Sequence, residues 1–373
     1  MGYNQKRRKL LFLFTKIVRI MKKTILPIFL ANAGCSDRCV FCNQSAVESN
    51  CCSALLAEVT TEINRQLEYL RNTDIQLAYY GGTFTSIPFE QRLALLKFGK
   101  ILVDRGTVSS IRVSTRPDAL DIETVQQLKN HGVTEVEIGA QSLCDSVLTA
   151  NNRRHTYEAV VNSVQRVKNA GLIAGIHLMT GLMGETQETY LLTLQRLMQL
   201  APDMLRIHPT LVLRGTKLEQ LFFEGRYNPQ TMKQALVTAS WLKLVARSQG
   251  IRVIRTGIQP SDELRNGQVV AGPFHPAFGE MVDSVGFYCL LYLLIKNYGV
   301  DSFVCSKSEL SKVVGQRKDN IRRLEAKFAT TLKISVSDLL MPGEIVIVNG
   351  LSKNVLSLVD MLSYYDYLKI MED

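Results

Sequence analysis

The sequence predicts an α/β fold: a partial, TIM-type parallel (β/α) barrel followed by a small α+β C-terminal domain. From residue 25 onward, short runs rich in apolar and β-branched residues alternate with longer segments whose apolar residues recur every three or four positions. Such repeated units give a parallel sheet, and six or more of them favour a barrel over an open doubly wound sheet. The order strand, helix, turn, helix, strand over residues 302–336 predicts the second domain.

The barrel strands are predicted where near-continuous apolar runs occur, as expected of parallel strands buried on both faces. They cover residues 26–32, 75–82, 110–117, 135–142, 173–181, 205–212 and 251–259, with helices that include 55–72, 122–132, 156–171 and 189–203. Glycine and polar residues collect at the carboxyl ends of these strands. In a parallel barrel those ends share one rim, which is where binding sites are built.

The chain divides into four predicted segments. Residues 1–24 form a basic extension, 25–270 the barrel, 271–300 a linker loop with a buried helix, and 301–373 the C-terminal domain. Met21 precedes two lysines and resembles a natural start, which leaves open whether residues 1–20 belong to the mature protein. The apolar run before Lys296 is too short to span a bilayer, so we expect a buried helix and no membrane partner.

Charge and cysteine usage narrow the class of protein. The net charge of +10 favours an anionic partner such as RNA, or a soluble basic surface. Of the eight cysteines, five lie between Cys35 and Cys52, which is no disulfide framework for 373 residues. We therefore expect a reducing, cytoplasmic location and cysteines that bind metal.

Cys35, Cys39 and Cys42 stand three and then two residues apart on one short loop. A four-iron cluster has four irons that each take a terminal ligand, so three cysteines leave one iron open. An open iron can bind a substrate or cofactor, as the free position of a catalytic zinc does. Zinc held by three cysteines and a distant histidine is the alternative.

With Phe41 just before its last cysteine, this motif resembles the cluster loop of the radical S-adenosylmethionine (SAM) enzymes. The resemblance implies a [4Fe–4S] cluster whose open iron binds SAM, and one-electron cleavage to methionine and a 5′-deoxyadenosyl radical that abstracts a hydrogen atom. Residues that resemble the cofactor contacts are Phe41, Gly81, Gly82, Thr83, Ser114, Arg116, Gln141, Arg153 and Gly181. A zwitterionic cofactor needs close backbone groups, which glycine permits, and an arginine for its carboxylate. Catalytic residues beyond the cluster stay unassigned.

The runs "GGTFTSIP", "STRPDAL", "NRRHT" and "IHPTLVLRGTKLEQLFFEGRYNP" resemble the catalytic subunit of Elongator and its stand-alone bacterial relatives, over residues 25–278. This implies modification of the wobble uridine of tRNA, with a ferredoxin or flavodoxin as electron donor. Only about 95 residues follow residue 278, too few for the acetyltransferase domain of that subunit, so use of an acyl donor stays open.

Two other functions remain alternatives. An oxygen-independent coproporphyrinogen dehydrogenase shares the cluster and the barrel, and Arg206 and Arg214 could serve its acidic substrate. A non-catalytic iron–sulfur protein that binds RNA is the second alternative. Within residues 271–280, His275 and Glu280 either lie near the substrate or belong to a rigid linker.

The C-terminal segment resembles the core of KH domains, whose Gly-x-x-Gly turn contacts a nucleic-acid backbone. Here Gly315 is the first glycine and Lys318 replaces the second. Arg317 and Lys318 could still meet phosphates. The alternative is a small capping domain with a charged helix face.

Overall fold

A computed structural model describes residues 23–30, 33–35, 38–43, 52–70, 74–260, 264–347 and 350–372. The predicted N-terminal extension, apart from its last two residues, and Cys51 lie outside these ranges. The chain forms two compact units. The first contains residues 1–35, 48–115 and 122–136, and the second contains residues 36–47, 116–121 and 137–373.

The first unit consists of parallel strands and the helices that connect them. Its strands are β1 (Thr24–Phe29), β2 (Ile75–Tyr80) and β3 (Ser110–Thr115), and its helices are α1 (Cys52–Leu67), α2 (Phe89–Asp104) and α3 (Ile122–Asn130). Leu77, Ala78 and Tyr79 of β2 are fully buried. The apolar run of this strand therefore reflects a parallel strand with a neighbour on each side. Strand β4 (Val133–Gln141) begins in the first unit and ends in the second.

The second unit continues the strand–helix alternation. It contains β5 (Ile173–Thr180), β6 (Met204–Pro209), β7 (Val212–Leu213), β8 (Arg252–Thr256) and β9 (Val269–Ala271), with α4 (Asp145–Ala150), α5 (Tyr157–Asn169), α6 (Gln187–Leu200), α7 (Lys217–Phe223) and α8 (Met232–Ser248). Threonines begin four of these helices, because each side-chain oxygen accepts an N–H that the first turn leaves unpaired. They are Thr156, Thr186, Thr216 and Thr231.

The strand order of the main sheet is β1-β2-β3-β4-β5-β6-β8. An open doubly wound sheet would reverse its order at a switch point, whereas this order follows the chain throughout. The predicted partial (β/α) barrel is confirmed, with seven strands where a complete barrel has eight. The predicted strand 205–212 is two strands, because β6 ends at Pro209 and β7 pairs with β9 instead.

The C-terminal part of the second unit is α+β, as predicted. It comprises α9 (Phe278–Tyr298), β10 (Ser302–Ser306), α10 (Leu310–Val314), α11 (Asp319–Phe328), β11 (Lys333–Ser337), β12 (Glu344–Ile347), β13 (Ser352–Asn354), α12 (Leu358–Met361) and α13 (Tyr364–Glu372). Its small sheet has the order β11-β10-β12-β13, with β10 and β11 parallel. The predicted domain boundaries and the likeness to KH domains stay predictions.

Helix α9 is the predicted buried helix. Within the described ranges it alone is long and apolar enough to cross a membrane, and most of it is buried inside the protein. It packs against α8 and α13. These two helices also contact each other, because Ser240 Oγ of α8 lies 2.9 Å from Tyr367 Oη of α13. The predicted burial of this segment is confirmed, and its apolar character is that of a core helix.

Candidate functional site

In the first unit, Gly34 and Gly82 allow two backbone segments to lie very close together. These are residues 33–35 and the turn after β2, where Thr83 N donates to Ala33 O over 2.8 Å. A Cβ on Gly82 would lie 2.1 Å from Ala33 O, and one on Gly34 would lie 2.3 Å from Thr83 O. Neither position therefore accepts a side chain without a shift of the backbone.

This approach places Cys35 against one of the predicted cofactor residues. Its Sγ lies 3.4 Å from Thr83 Oγ1, and the thiol is free. Gly81 has φ +106°, a conformation that glycine favours. Ser114 lies half-buried near the carboxyl end of β3. In the first unit, the structure thus brings Cys35 and Thr83 together.

Residues 38–43 of the second unit carry the other two cysteines and have no helix or strand of their own. Their backbone is held by two successive asparagines that the sequence analysis did not single out. Val40 N donates to Asn151 O over 3.3 Å, and Asn152 Nδ2 donates to Arg38 O over 2.7 Å. Asn152 adopts a left-handed conformation with φ 56°, which asparagine tolerates better than most residues.

The next residue, Arg153, contacts a cysteine directly. Its Nη1 donates to Cys39 Sγ over 3.2 Å, and its Nη2 donates to Gly139 O over 2.6 Å. Its Nε is buried and has no hydrogen-bond partner among the described residues. Cys39 is buried and forms no disulfide there, so a guanidinium stands beside a shielded sulfur.

Phe41 anchors the same loop by apolar packing. Its ring packs against a cluster that includes Val212 and Tyr227, and against a second that includes Cys144 and Leu182. Cys144 is buried there. On the other side, Asn43 Nδ2 donates to Arg214 O over 2.7 Å. Arg214, which the sequence singled out, therefore supports this loop through its backbone.

Two more predicted cofactor residues lie at the carboxyl ends of strands: Arg116 follows β3, and Gln141 is the last residue of β4. Arg116 Nε donates to Asp118 Oδ1 over 2.9 Å, and the pair is bidentate. Burial alone would raise the pKa of Asp118, but Arg116 outweighs it and holds that pKa below its ordinary value. Gln141 ends β4 with φ 64°, and its Oε1 is buried without a hydrogen-bond partner.

The predicted turn at Gly181 is fixed by two side chains. Its N–H donates to Glu185 Oε1 over 2.8 Å, and its carbonyl accepts from Tyr227 Oη over 2.6 Å. Burial raises the pKa of Glu185 to about 7, although the hydrogen bond from Gly181 opposes this. The role of Glu185 was missed, because a glutamate after a glycine carries no periodic signal.

One face of β4, β5 and β6 carries a polar cluster, here called the histidine face: Glu137, His177, Arg206 and His208. Arg206 Nε donates to Glu137 Oε2 over 2.7 Å. The rings of His177 and His208 meet edge to face with centroids 4.3 Å apart.

A second candidate site lies in the C-terminal part of the second unit. The turn between α10 and α11 is left-handed at Arg317 (φ 49°) and Lys318 (φ 62°), and both side chains are exposed. It borders a groove of about 730 Å³. Basic residues on the groove are Lys233, Arg317, Arg322 and Arg323, acidic ones are Glu280 and Asp319, and apolar ones include Leu236, Met281 and Val285. Glu280 accepts from Ser311 Oγ over 2.8 Å, which ties α9 to α10.

Comparison with known proteins settles the class. The radical SAM superfamily model matches residues 31–197, and the radical SAM C-terminal domain model matches residues 202–285. The chain belongs to the radical SAM superfamily. It is therefore an enzyme of a superfamily that implies a [4Fe–4S] cluster and SAM.

The relatives of this radical SAM enzyme include proteins of the Elongator type. The tRNA uridine(34) acetyltransferase of Methanocaldococcus jannaschii is 31% identical over 136 residues, which are 36% of this chain and 25% of the relative. Elongator complex protein 3 of Saccharomyces cerevisiae is 31% identical over 173 residues, which are 41% of this chain and 31% of the relative. The chain spans about a quarter to a third of these relatives.

A solved structure supports the fold. The archaeal Methanocaldococcus infernus Elp3 with an N-terminal deletion has a TM-score of 0.54 and is 21% identical, over 74% of this chain and 63% of that chain. At this identity the similarity concerns the fold alone.

The residues present fit the cluster that the superfamily implies. Cys35, Cys39 and Cys42 lie within eight residues and form no disulfide among the described residues. In a four-iron cluster each cysteine binds a different iron, so three cysteines suffice and leave one iron open. Zinc stays the alternative metal for these cysteines.

We expect Gly82→Ala to displace the backbone at Ala33 and so expose Cys35. The alkylation of Cys35 by iodoacetamide in the metal-free protein should then be several-fold faster, as measured by peptide mass spectrometry. Gly106→Ala is the control: its φ of +69° strains an alanine, but a Cβ there meets no atom within 4 Å and so displaces no neighbouring backbone. Equal rates in the two variants would contradict the close approach.

The raised pKa of Glu185 predicts a pH-dependent stability. The folded state holds this proton up to about pH 7, whereas the unfolded chain loses it near 4.5, so the free energy of unfolding falls as pH rises between these values. Glu185→Gln mimics the protonated form and should match wild type at pH 5 but gain up to about 3 kcal/mol at pH 8. Urea unfolding measures this, with Glu188→Gln at an exposed position as control. No gain at pH 8 would show that the carboxyl titrates normally.

Proposed function

We propose that this enzyme holds a [4Fe–4S] cluster through Cys35, Cys39 and Cys42 and modifies a base of tRNA, the wobble uridine being the favoured target. When bound, the cluster and SAM supply reductive cleavage of the sulfonium, with methionine and 5′-deoxyadenosine as products. The observation that carries the proposal is the Arg153–Cys39 contact on a loop with three free thiols. A ferredoxin or flavodoxin would supply the electron, in the cytoplasm.

Arg153 has the role of stabilising the loop in its metal-binding form. Its Nη1 donates to Cys39 Sγ, while its bond to Gly139 O fixes its own position near the end of β4. Among the described residues, the buried Nε of Arg153 and Oε1 of Gln141 each lack a hydrogen-bond partner. Unpaired buried groups are costly, so we assign both to the cofactor, with Arg153 as donor and Gln141 as acceptor.

The remaining predicted contacts supply backbone groups. The approach at Gly34 and Gly82 leaves no room for a side chain, which suits close contact between the main chain and a zwitterionic ligand. Gly81, Thr83 and Ser114 share the first unit with it. In the second unit, Glu185 and Tyr227 hold the Gly181 turn, where we place the adenine.

tRNA is proposed as the substrate on two grounds. The relatives include a tRNA uridine(34) acetyltransferase in an archaeon and an Elongator complex protein in yeast. The net charge of +10 suits a polyanionic partner. The coproporphyrinogen alternative needs free cations for a tetra-acid, but Arg206 is paired with Glu137 and Arg214 Nε donates to Gly267 O.

The basic turn before α11 is proposed as a contact for the RNA backbone. Arg317 and Lys318 project from a turn whose left-handed backbone does not favour side chains, and the adjoining groove combines cations with an apolar floor. Cations bind the phosphates of a nucleic-acid backbone, and the apolar floor offers a surface beside them that excludes water. We do not include Lys312 among the phosphate contacts, because Asp283 and Glu309 already form ion pairs with it.

The first test is anaerobic reconstitution of wild type, Cys39→Ala and Cys305→Ala, followed by SAM, dithionite and bulk tRNA. Iron content and 5′-deoxyadenosine are measured. Wild type and Cys305→Ala, which changes a buried cysteine of β10, should bind iron and form 5′-deoxyadenosine. Cys39→Ala should do neither, and tRNA should raise the yield. If 5′-deoxyadenosine forms but tRNA does not change its yield, tRNA is not the substrate. If an iron-loaded protein forms no 5′-deoxyadenosine, the proposed reaction is wrong.

The RNA contact is tested by Arg317→Gly with Lys318→Gly. Glycine relieves the left-handed backbone, so the melting temperature should not fall, while the loss of two cations weakens tRNA binding. We expect the slope of log affinity against log salt to become shallower by about 2, which a filter-binding titration measures. Lys97→Ala, at an exposed position of α2, is the control. An unchanged slope would remove the turn from the RNA interface.

A further inference from the structure

Two neighbouring histidines in the second unit each have an unpaired nitrogen. Nε2 of His177 and Nε2 of His208 are shielded from solvent, and neither has a hydrogen-bond partner in the part of the chain that the structure describes. Leaving such a group unpaired costs about 1–3 kcal/mol, and buried polar groups are nearly always paired. Two of them side by side therefore call for a partner outside the protein.

The strand register explains why the two rings meet. In the parallel pair β5–β6, His177 is opposite Arg206, and Met179 is opposite His208. Residues in register on adjacent parallel strands project to the same side of the sheet, as do residues two apart on one strand. Both rings therefore lie on one face, half-buried, with their centroids 4.3 Å apart.

The charges around the rings make this face neutral. The Arg206 guanidinium is bound to the Glu137 carboxylate. Burial, followed by the charge of Arg206, lowers the pKa of His177 to about 3, with Arg153 acting in the same direction and Glu137 against it. Burial, His177, Arg206 and Arg255 likewise lower the pKa of His208. Both imidazoles are therefore uncharged at neutral pH, so the face attracts neither an anion nor a cation strongly.

We propose that His177 and His208 hold the reacting part of the substrate by their Nε2 atoms, and that this part is an uncharged heterocycle with a hydrogen-bond donor beside an acceptor. A neutral imidazole nitrogen is a donor or an acceptor according to its tautomer, so two of them offer one of each. The hydrogen-bonding edge of a pyrimidine base presents that pair. The two histidines thereby determine specificity, an assignment that rests on the proposed function.

The test compares two RNA hairpins that differ only by one methyl group on a single base nitrogen. One carries uridine in its loop, and the other carries N3-methyluridine, which lacks the donor but has the same charge. Both are titrated by fluorescence anisotropy against the reconstituted holoenzyme with SAM and without reductant, so no turnover occurs. Wild type should bind the uridine hairpin about tenfold more tightly, the value of one neutral hydrogen bond.

His177→Leu and His208→Leu should bring the ratio of the two affinities to about one. A purely structural role would weaken both hairpins alike and leave the ratio unchanged, which would overturn the assignment. His131→Leu, just after α3 in the first unit, is the control and should keep the wild-type ratio. Because both imidazoles stay neutral, the ratio should be equal at pH 6 and pH 8, and a ratio that changes between them would contradict a neutral pair.

The outcomes separate this inference from the proposed function. Equal binding of both hairpins by wild type would overturn the role of the histidines and leave tRNA as the substrate. Failure of wild type to bind either hairpin would overturn the tRNA substrate and the histidine assignment together. Formation of 5′-deoxyadenosine is measured separately and tests the reaction itself.

Discussion

The loop that carries Cys39 and Cys42 has no regular secondary structure, so its shape depends on hydrogen bonds from elsewhere in the second unit. Three successive residues supply most of them: Asn151 accepts from the loop backbone, Asn152 donates to it, and Arg153 donates to Cys39 Sγ. A loop held in this way is fixed before any metal binds, so little ordering remains to be done on binding. The position of the thiols thus depends on residues more than a hundred positions away in sequence.

Charged side chains that are buried on the strands are paired with a side chain of opposite charge. In the first unit Arg112 of β3 pairs with Glu135 of β4. In the second unit Arg206 of β6 pairs with Glu137 of β4. Pairing offsets the cost of removing these charges from water. On the histidine face, the buried atoms that have no hydrogen-bond partner among the described residues are His177 Nε2 and His208 Nε2, which belong to uncharged rings. An unpaired neutral group costs less than an unpaired charge, which is why this face can be kept ready without a ligand.

The fold and the cysteines could be predicted from sequence because they rest on periodic or local patterns. Apolar runs mark strands β1 to β6 and β8, and the spacing of Cys35, Cys39 and Cys42 needs no tertiary information. The supports of the site could not be predicted. Asn151 and Glu185 have no periodic signature, and their roles appear only when distant segments meet. The Arg116–Asp118 ion pair differs from these supports, because its two residues are only two positions apart and their charges are close already in the sequence.

The basic turn before α11 carries two cationic side chains on a left-handed backbone. Arg317 and Lys318 both adopt this conformation, at a cost of roughly 1–2 kcal/mol for each residue. Such strain persists only where neighbouring contacts fix the conformation. Here Asn320 does so, because its buried Nδ2 donates to Ser284 O and Val313 O over 3.0 and 3.1 Å and its backbone leaves no room for a side chain at Gly315. A turn that needed only its shape would be more stable with glycine at both positions, so the cationic side chains themselves are what this arrangement retains.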